Sequence, residues 1–154
     1  MFFENTFFPK TIKKWNDLDN DTKSVESNET FASRIKRAVN VPKWYYTGER
    51  SPAIWHARMR MMCSPLNDHL YAHVHVIDDP HCACGYRREN NKHFLLDCPL
   101  FANERTPLLT ELDKLKFKPV VKNLLFGNAQ YTDESNFKAV TFIQKFIKST
   151  GRFD

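Results

Sequence analysis

Three cysteines and one histidine within a seventeen-residue stretch constrain this 154-residue chain more than any other feature. Cys82 and Cys84 are followed by His93 and Cys98, a C-x-C-x8-H-x4-C spacing. Three thiolates and one imidazole complete the tetrahedral ligand set of zinc and leave no position open for a substrate or a reactive water. We therefore predict a structural zinc site rather than a catalytic one.

Residues next to the four candidate ligands fit such a site. Gly85 tolerates the backbone conformations that a tight turn after a C-x-C pair requires. His93 and Cys98 are five residues apart, too far around an ideal α-helix to share one face, so we expect the backbone to change direction between them. Pro99 disfavours helical geometry at Cys98 and suits the first position of a new helix, which Cys98 would cap. His81 is adjacent to a ligand, and we expect it to be exposed.

Apolar residues recur at helical spacing along most of the chain, which predicts a mainly α-helical fold with little β structure. With only four glycines and eight prolines, the sequence favours regular structure. Residues 1–40 carry the pattern of two short helices, and residues 41–53 are predicted to be an aromatic linker. Residues 54–154 are predicted to form a small helical domain around the zinc knuckle, the segment from Cys82 to Cys98.

Within residues 54–154, apolar residues from Trp55 to Leu66 predict one amphipathic helix, and Cys63 in that stripe is expected to be a buried, unpaired thiol. Histidine and valine alternate over residues 73–76, a pattern typical of a short extended segment. Three more helices are predicted, over residues 107–117, 120–126 and 136–149.

Composition restricts the class of protein. Twenty-three Lys and Arg against 18 Asp and Glu give a net charge of +5, which permits a polyanionic partner without requiring one. No apolar run is long enough for a transmembrane span, and the first residues lack the basic and apolar stretches of a secretory signal. Clustering of cysteines beside a histidine favours metal over disulfides, which fits a reducing compartment. We expect an intracellular protein, cytoplasmic or nuclear.

The knuckle itself carries candidate nucleic-acid contacts. Arg87, Arg88 and Lys92 lie between the ligand pairs, where long cations could reach phosphates, and Tyr86 could stack on an unpaired base. An ordinary solvated loop, and packing of Tyr86 over the metal, are the alternatives. We predict weak and largely sequence-independent binding to RNA or single-stranded DNA through these four residues.

Longer phrases surround the candidate site. They include LNDHL at 66–70, CACG at 82–85, Glu89, HFLLDCPLF at 93–101 and Arg105. Upstream are FFPKTI at 7–12 and WNDL at 15–18, and downstream are LLFG at 124–127, FIK at 146–148 and RF at 152–153. Together they resemble the C-terminal region of non-LTR (LINE-type) retrotransposon reverse transcriptases. The resemblance covers nearly the whole chain and is strongest over residues 54–105.

The resemblance implies a tail fragment of a larger polyprotein whose polymerase domain would be its partner. In that family the zinc region helps to hold template RNA or target DNA, which would make this chain a non-catalytic, zinc-stabilised nucleic-acid-binding fragment. Fingers, palm, thumb and endonuclease are absent, so we expect no enzymatic activity. The first helices would pack on the absent polymerase, so their apolar residues are expected to be less buried than the stripe from Trp55 to Leu66. Those residues are Phe8, Ile12 and Trp15.

A second function fits the same residues. Zinc could shape a structural or protein-interaction module that binds no nucleic acid, since a net charge of +5 is modest. Phosphate contacts would make the affinity fall steeply as salt is added, whereas the affinity for a protein partner does not have to depend on salt. A salt titration separates the two hypotheses.

Overall fold

The computed structural model describes residues 42–153, and within them the secondary structure is helical, without a β-strand. The mainly α-helical fold is thereby confirmed. Predictions for residues 1–40, including the burial of Phe8, Ile12 and Trp15, lie outside the described residues. In chain order the described helices are a 3-10 turn (Lys43–Tyr46), α1 (Arg50–Arg60), α2 (Asn67–His69) with a π-helical turn (Leu70–Val74), a second π-helical turn (His93–Asp97), a 3-10 turn (Pro99–Phe101), α3 (Ala102–Lys114), α4 (Val121–Phe126) and α5 (Asp133–Ser149).

The last helix, α5, forms the centre of the compact unit Lys43–Asp154. It begins at Thr132, whose hydroxyl accepts a hydrogen bond from the Ser135 amide at 3.1 Å, as an N-cap residue does. One face packs against α1 and α3, while its lysines lie on the outside. The helix is therefore amphipathic. Its buried apolar residues are Ala139, Val140, Ile143, Phe146 and Ile147.

The helix predicted through Leu66 ends earlier, so the continuous stripe is wrong. Helix α1 stops at Arg60, and Met62 adopts a left-handed conformation with φ 59°. Its amide donates to Met59 O and the Cys63 amide donates to Arg58 O, the two hydrogen bonds of a Schellman end. Cys63 is consequently exposed rather than buried. Glycine usually marks such an end, and its absence here explains why the sequence pattern extended the helix too far.

The predicted extended segment at residues 73–76 is also wrong. The chain is π-helical through Val74 and leaves the turn at His75, which is left-handed with φ 58°. Val74 and Val76 are 46% and 64% exposed, so the alternation does not define one buried face. Period-2 patterning indicates a strand only where one side is covered.

The three predicted C-terminal helices exist, with shifted ends. Helix α3 starts before Pro107, which lies inside it, and ends at Lys114. Lys116 then takes the left-handed conformation, with φ 52°, in a second Schellman end. Helix α5 starts three residues earlier than predicted because Thr132 caps it.

The C-terminus of α4 is capped by side chains from the first turn and from α1. Trp44 Nε1 and the Tyr45 hydroxyl both donate to Phe126 O, at 3.2 and 3.3 Å. His56 Nε2 donates to Leu124 O at 2.8 Å, and Arg60 Nε donates to Leu125 O at 2.5 Å. The last carbonyls of a helix have no partner within it, so these donors satisfy groups that burial would otherwise penalise. The turn Lys43–Tyr46 therefore packs within the helical unit.

Candidate metal centre

The first two candidate ligands lie in a tight turn. The Cys82 amide donates to Tyr86 O at 2.9 Å, and the Gly85 amide donates to Cys82 O at 2.8 Å. Gly85 has φ 87°, a conformation that side-chain-bearing residues rarely adopt. This turn carries Cys82, which is buried, and Cys84, which is half-buried, toward the second ligand pair.

The second pair is brought together by a wider helical turn. The Cys98 amide donates to His93 O at 2.7 Å, which is the i to i+5 bond of a π-helix. Because a π-turn holds more residues than an α-turn, residues five apart come onto one side. The predicted change of direction between His93 and Cys98 is therefore wrong, because the π-turn continues to Asp97 and the backbone becomes extended only at Cys98. Cys98 occupies the N-cap position of the 3-10 turn that begins at Pro99, as predicted.

The four ligand atoms lie within 4.8 Å of one another. Cys82 Sγ is 3.6 Å from Cys98 Sγ, and Cys84 Sγ is 3.2 Å from His93 Nε2. Zinc bonds of about 2.3 Å to sulfur and about 2.0 Å to nitrogen give tetrahedral edges of about 3.8 and 3.5 Å. The sulfur separation is far from the disulfide length of about 2.05 Å. The group can therefore hold a metal ion, and within residues 42–153 no other set of three or more such ligands is gathered.

Protonation of the isolated ligands shows what a cation would supply. Burial raises the pKa of Cys82 to about 12 and raises the pKa of Cys98 above its ordinary value. Burial also opposes the Cys84 thiolate, but hydrogen bonds, first from the Tyr86 backbone, hold the pKa of Cys84 below its ordinary value. Burial lowers the pKa of His93, which leaves the imidazole neutral as a metal ligand must be. Two buried thiols thus need a bound cation before they ionise at neutral pH.

A buried carboxylate links the site to the C-terminal segment. Glu89, whose side chain is 4% exposed, accepts hydrogen bonds from Arg152 Nε at 2.8 Å and from Arg152 Nη2 at 2.7 Å. Its Oε2 also accepts from the Asn67 amide at 3.0 Å, and its Oε1 lies 4.0 Å from Cys82 Sγ. One side chain therefore connects the knuckle, the start of α2 and the end of the chain.

A buried arginine holds the second ligand pair. Arg105, on α3, donates to Leu95 O at 3.0 Å, to Phe94 O at 3.2 Å and to Cys98 O at 2.8 Å. The first two carbonyls belong to the end of the π-turn, where carbonyls often lack a partner within the helix, and Cys98 O also accepts from the Phe101 amide at 3.4 Å. Burial lowers the pKa of Arg105, with the nearby Cys98 thiol opposing that shift. The guanidinium thus fixes the position of Cys98 through its backbone.

The four residues predicted to contact nucleic acid lie on the surface of the knuckle, and three of them contact another side chain of the same chain. Tyr86 stacks on the ligand His93, with ring centroids 4.3 Å apart and an interplanar angle of 5°. Arg88 pairs with Asp68 at 2.6 Å, and Lys92 lies 3.4 Å from Asp97. Arg87 is exposed and bonds to no side chain in the described part of the chain. His81 is exposed as expected and contacts Asp79.

Three residues that fix the site were not singled out by sequence reasoning for that role: Glu89, Arg105 and Arg152. All three belong to the phrases that carry the resemblance, and no other feature of the sequence pointed to them. Arg152 is 63 positions from its partner Glu89 in the sequence, so no local spacing predicts the pair.

The chain matches no protein family, no curated protein and no solved structure with which it was compared. Among the helices of residues 42–153, none combines the length and the apolar composition that crossing a membrane requires.

Proposed function

We propose that this chain is a non-catalytic, zinc-stabilised nucleic-acid-binding domain, similar to the C-terminal region of non-LTR retrotransposon reverse transcriptases. The observation that supports the proposal most is the closed set of Cys82, Cys84, His93 and Cys98, whose separations suit a tetrahedral ion. Four protein ligands leave no coordination position for a reactant, so the metal stabilises the fold and does no chemistry.

Zinc at this site would join parts of the chain that few other contacts hold. No helix lies between Val74 and Asn91, a stretch that includes the first ligand pair. The knuckle is anchored at Glu89 by Arg152 and at Cys98 by Arg105. With its shape fixed, the knuckle presents Arg87, Arg88 and Lys92 at low entropic cost. The Lys92–Asp97 pair is exposed, and pairs of that kind contribute little, so a phosphate could replace Asp97. Arg88 is also exposed, although its partner Asp68 is 22% exposed, so a phosphate there must compete with a closer ion pair.

Fluorescence anisotropy with labelled single-stranded RNA and DNA tests the proposal over a range of salt concentrations. Replacing Arg87, Arg88 and Lys92 by Ala should reduce the slope of log affinity against log salt by about 2, at about 0.7 per phosphate contact on a single strand. A matched variant with Lys114, Lys118 and Lys122 replaced by Ala removes the same charge from another exposed surface and should keep the slope. Equal slopes in the wild type and in the knuckle variant would reject these contacts.

A structural or protein-interaction module is the second candidate. Partners within the chain favour it, since Arg88 and Lys92 face carboxylates and Tyr86 stacks on His93. Such a module would hold zinc and fold as described, yet show no salt-dependent binding to either nucleic acid. The same titration therefore decides between the two functions.

A further inference from the structure

Two histidines near the knuckle line a small cavity that the four-ligand site does not use. His69 ends α2 and His73 lies one turn later, in the π-helical segment, with ring centroids 5.1 Å apart. Both line a cavity of about 50 Å³, whose other walls include the polar Asp68 and Asn90 and the apolar Met62 and Leu66. That volume exceeds what one water needs, so a hydrated ion has space there.

The buried nitrogen of His69 lacks a partner. His69 Nδ1 is buried and bonds to nothing in the described part of the chain, although most buried polar atoms are satisfied. Burial, and next the neighbouring His73, lower the pKa of His69, which keeps the ring neutral and able to bind a cation. His69 therefore combines a neutral ring with a ring nitrogen that no group of the described chain occupies, next to the neighbouring imidazole of His73.

The ring separation suits a shared ion. Two imidazoles that bind one tetrahedral ion through nitrogen, at about 2.0 to 2.1 Å, place their ring centroids about 5.2 Å apart. The observed 5.1 Å agrees with that value. Asp68 is already paired with Arg88, so the ion would complete its coordination with water from the cavity.

We propose that His69 and His73 form a second, weaker binding site for a borderline divalent cation, with Zn²⁺ as the ion to test. The site is separate from the four-ligand set and does not depend on the function proposed above. With two protein ligands and open positions, it exchanges its ion with solvent, in contrast to the closed site.

Isothermal titration of the chain, after loading with one equivalent of zinc, tests the proposal with Zn²⁺ alone. We expect a second equivalent in the wild type, which His69→Gln or His73→Gln weakens by about 100-fold, since loss of even an outer-shell partner costs 10- to 100-fold. His75→Asn is the matched control: His75 is exposed and left-handed, asparagine tolerates that backbone, and the second equivalent should remain.

The circular dichroism spectrum and the first zinc equivalent confirm that each variant is folded. Long-range ¹H–¹⁵N spectra should also show the Nδ1 signal of His69 moving when the second equivalent is added. Absence of a second equivalent in the wild type would overturn the proposal, as would its full retention in both glutamine variants or its loss in His75→Asn. A chain that binds a single ion, lost in His69→Gln, would instead support this site and contradict the four-ligand one.

Discussion

Arg152→Ala should destabilise the zinc-loaded chain by about 3 kcal/mol, because it leaves the buried Glu89 carboxylate without its cation. Removing one partner of a buried ion pair costs about 3 to 5 kcal/mol. We expect the lower end of that range, since the Asn67 amide still donates to Glu89 and the Arg152 side chain is 28% exposed. Arg152→Lys keeps the charge but loses the bidentate contact with Glu89, so we expect it to destabilise the chain by about 1 to 2 kcal/mol.

Urea unfolding followed by circular dichroism measures these changes. The control is Arg87→Ala, which removes an exposed arginine of the same knuckle and should change the free energy of unfolding by less than about 0.5 kcal/mol. If Arg152→Ala costs no more than Arg87→Ala, the end of the chain does not hold the knuckle and the reasoning fails.

Three other perturbations test separate parts of the structure. Burial, and next Arg60, lower the pKa of His56 to about 3, so the unfolded state binds the proton first as pH falls below 6.5. Through this group the wild type should lose about 2 kcal/mol of unfolding free energy between pH 7 and pH 5. Urea unfolding of His56→Gln should show a smaller loss over the same pH range. Gly127→Ala places a Cβ 2.6 Å from Asn136 Oδ1 at a residue with φ 68°. It should lower Tm more than Gly85→Ala, because Gly85 also has a positive φ, 87°, but nothing lies within reach of a Cβ there. Equal shifts in Tm would contradict the packing described. Chelation should speed hydrogen exchange over residues 80–100 before it affects α5, and simultaneous exchange would show that the metal supports the whole unit.

Helices α4 and α5 could be predicted from sequence because each carries a local signal. Gly127 ends α4, and the apolar face of α5 repeats at helical spacing from Ala139 to Ile147. The ends of α1 and α3 could not, because Met62 and Lys116 occupy left-handed positions that glycine usually fills. Local Schellman hydrogen bonds form at both ends although neither residue is a glycine.

For the metal site, residue identities were predictable and the backbone that joins them was not. Cys82, Cys84, His93 and Cys98 follow from spacing, whereas the π-turn between the last two has no sequence signature beyond their separation. The exposed position of Cys63 likewise depends on where α1 ends.

Zinc content and X-ray absorption of the purified chain test the central claim most directly. We predict one zinc per chain with three sulfur neighbours at about 2.3 Å and one nitrogen at about 2.0 Å. Cys63→Ser, which removes the one cysteine outside the set, should leave both the content and the coordination shell unchanged. A chain that folds without zinc, or a coordination shell of nitrogen and oxygen alone, would contradict the account.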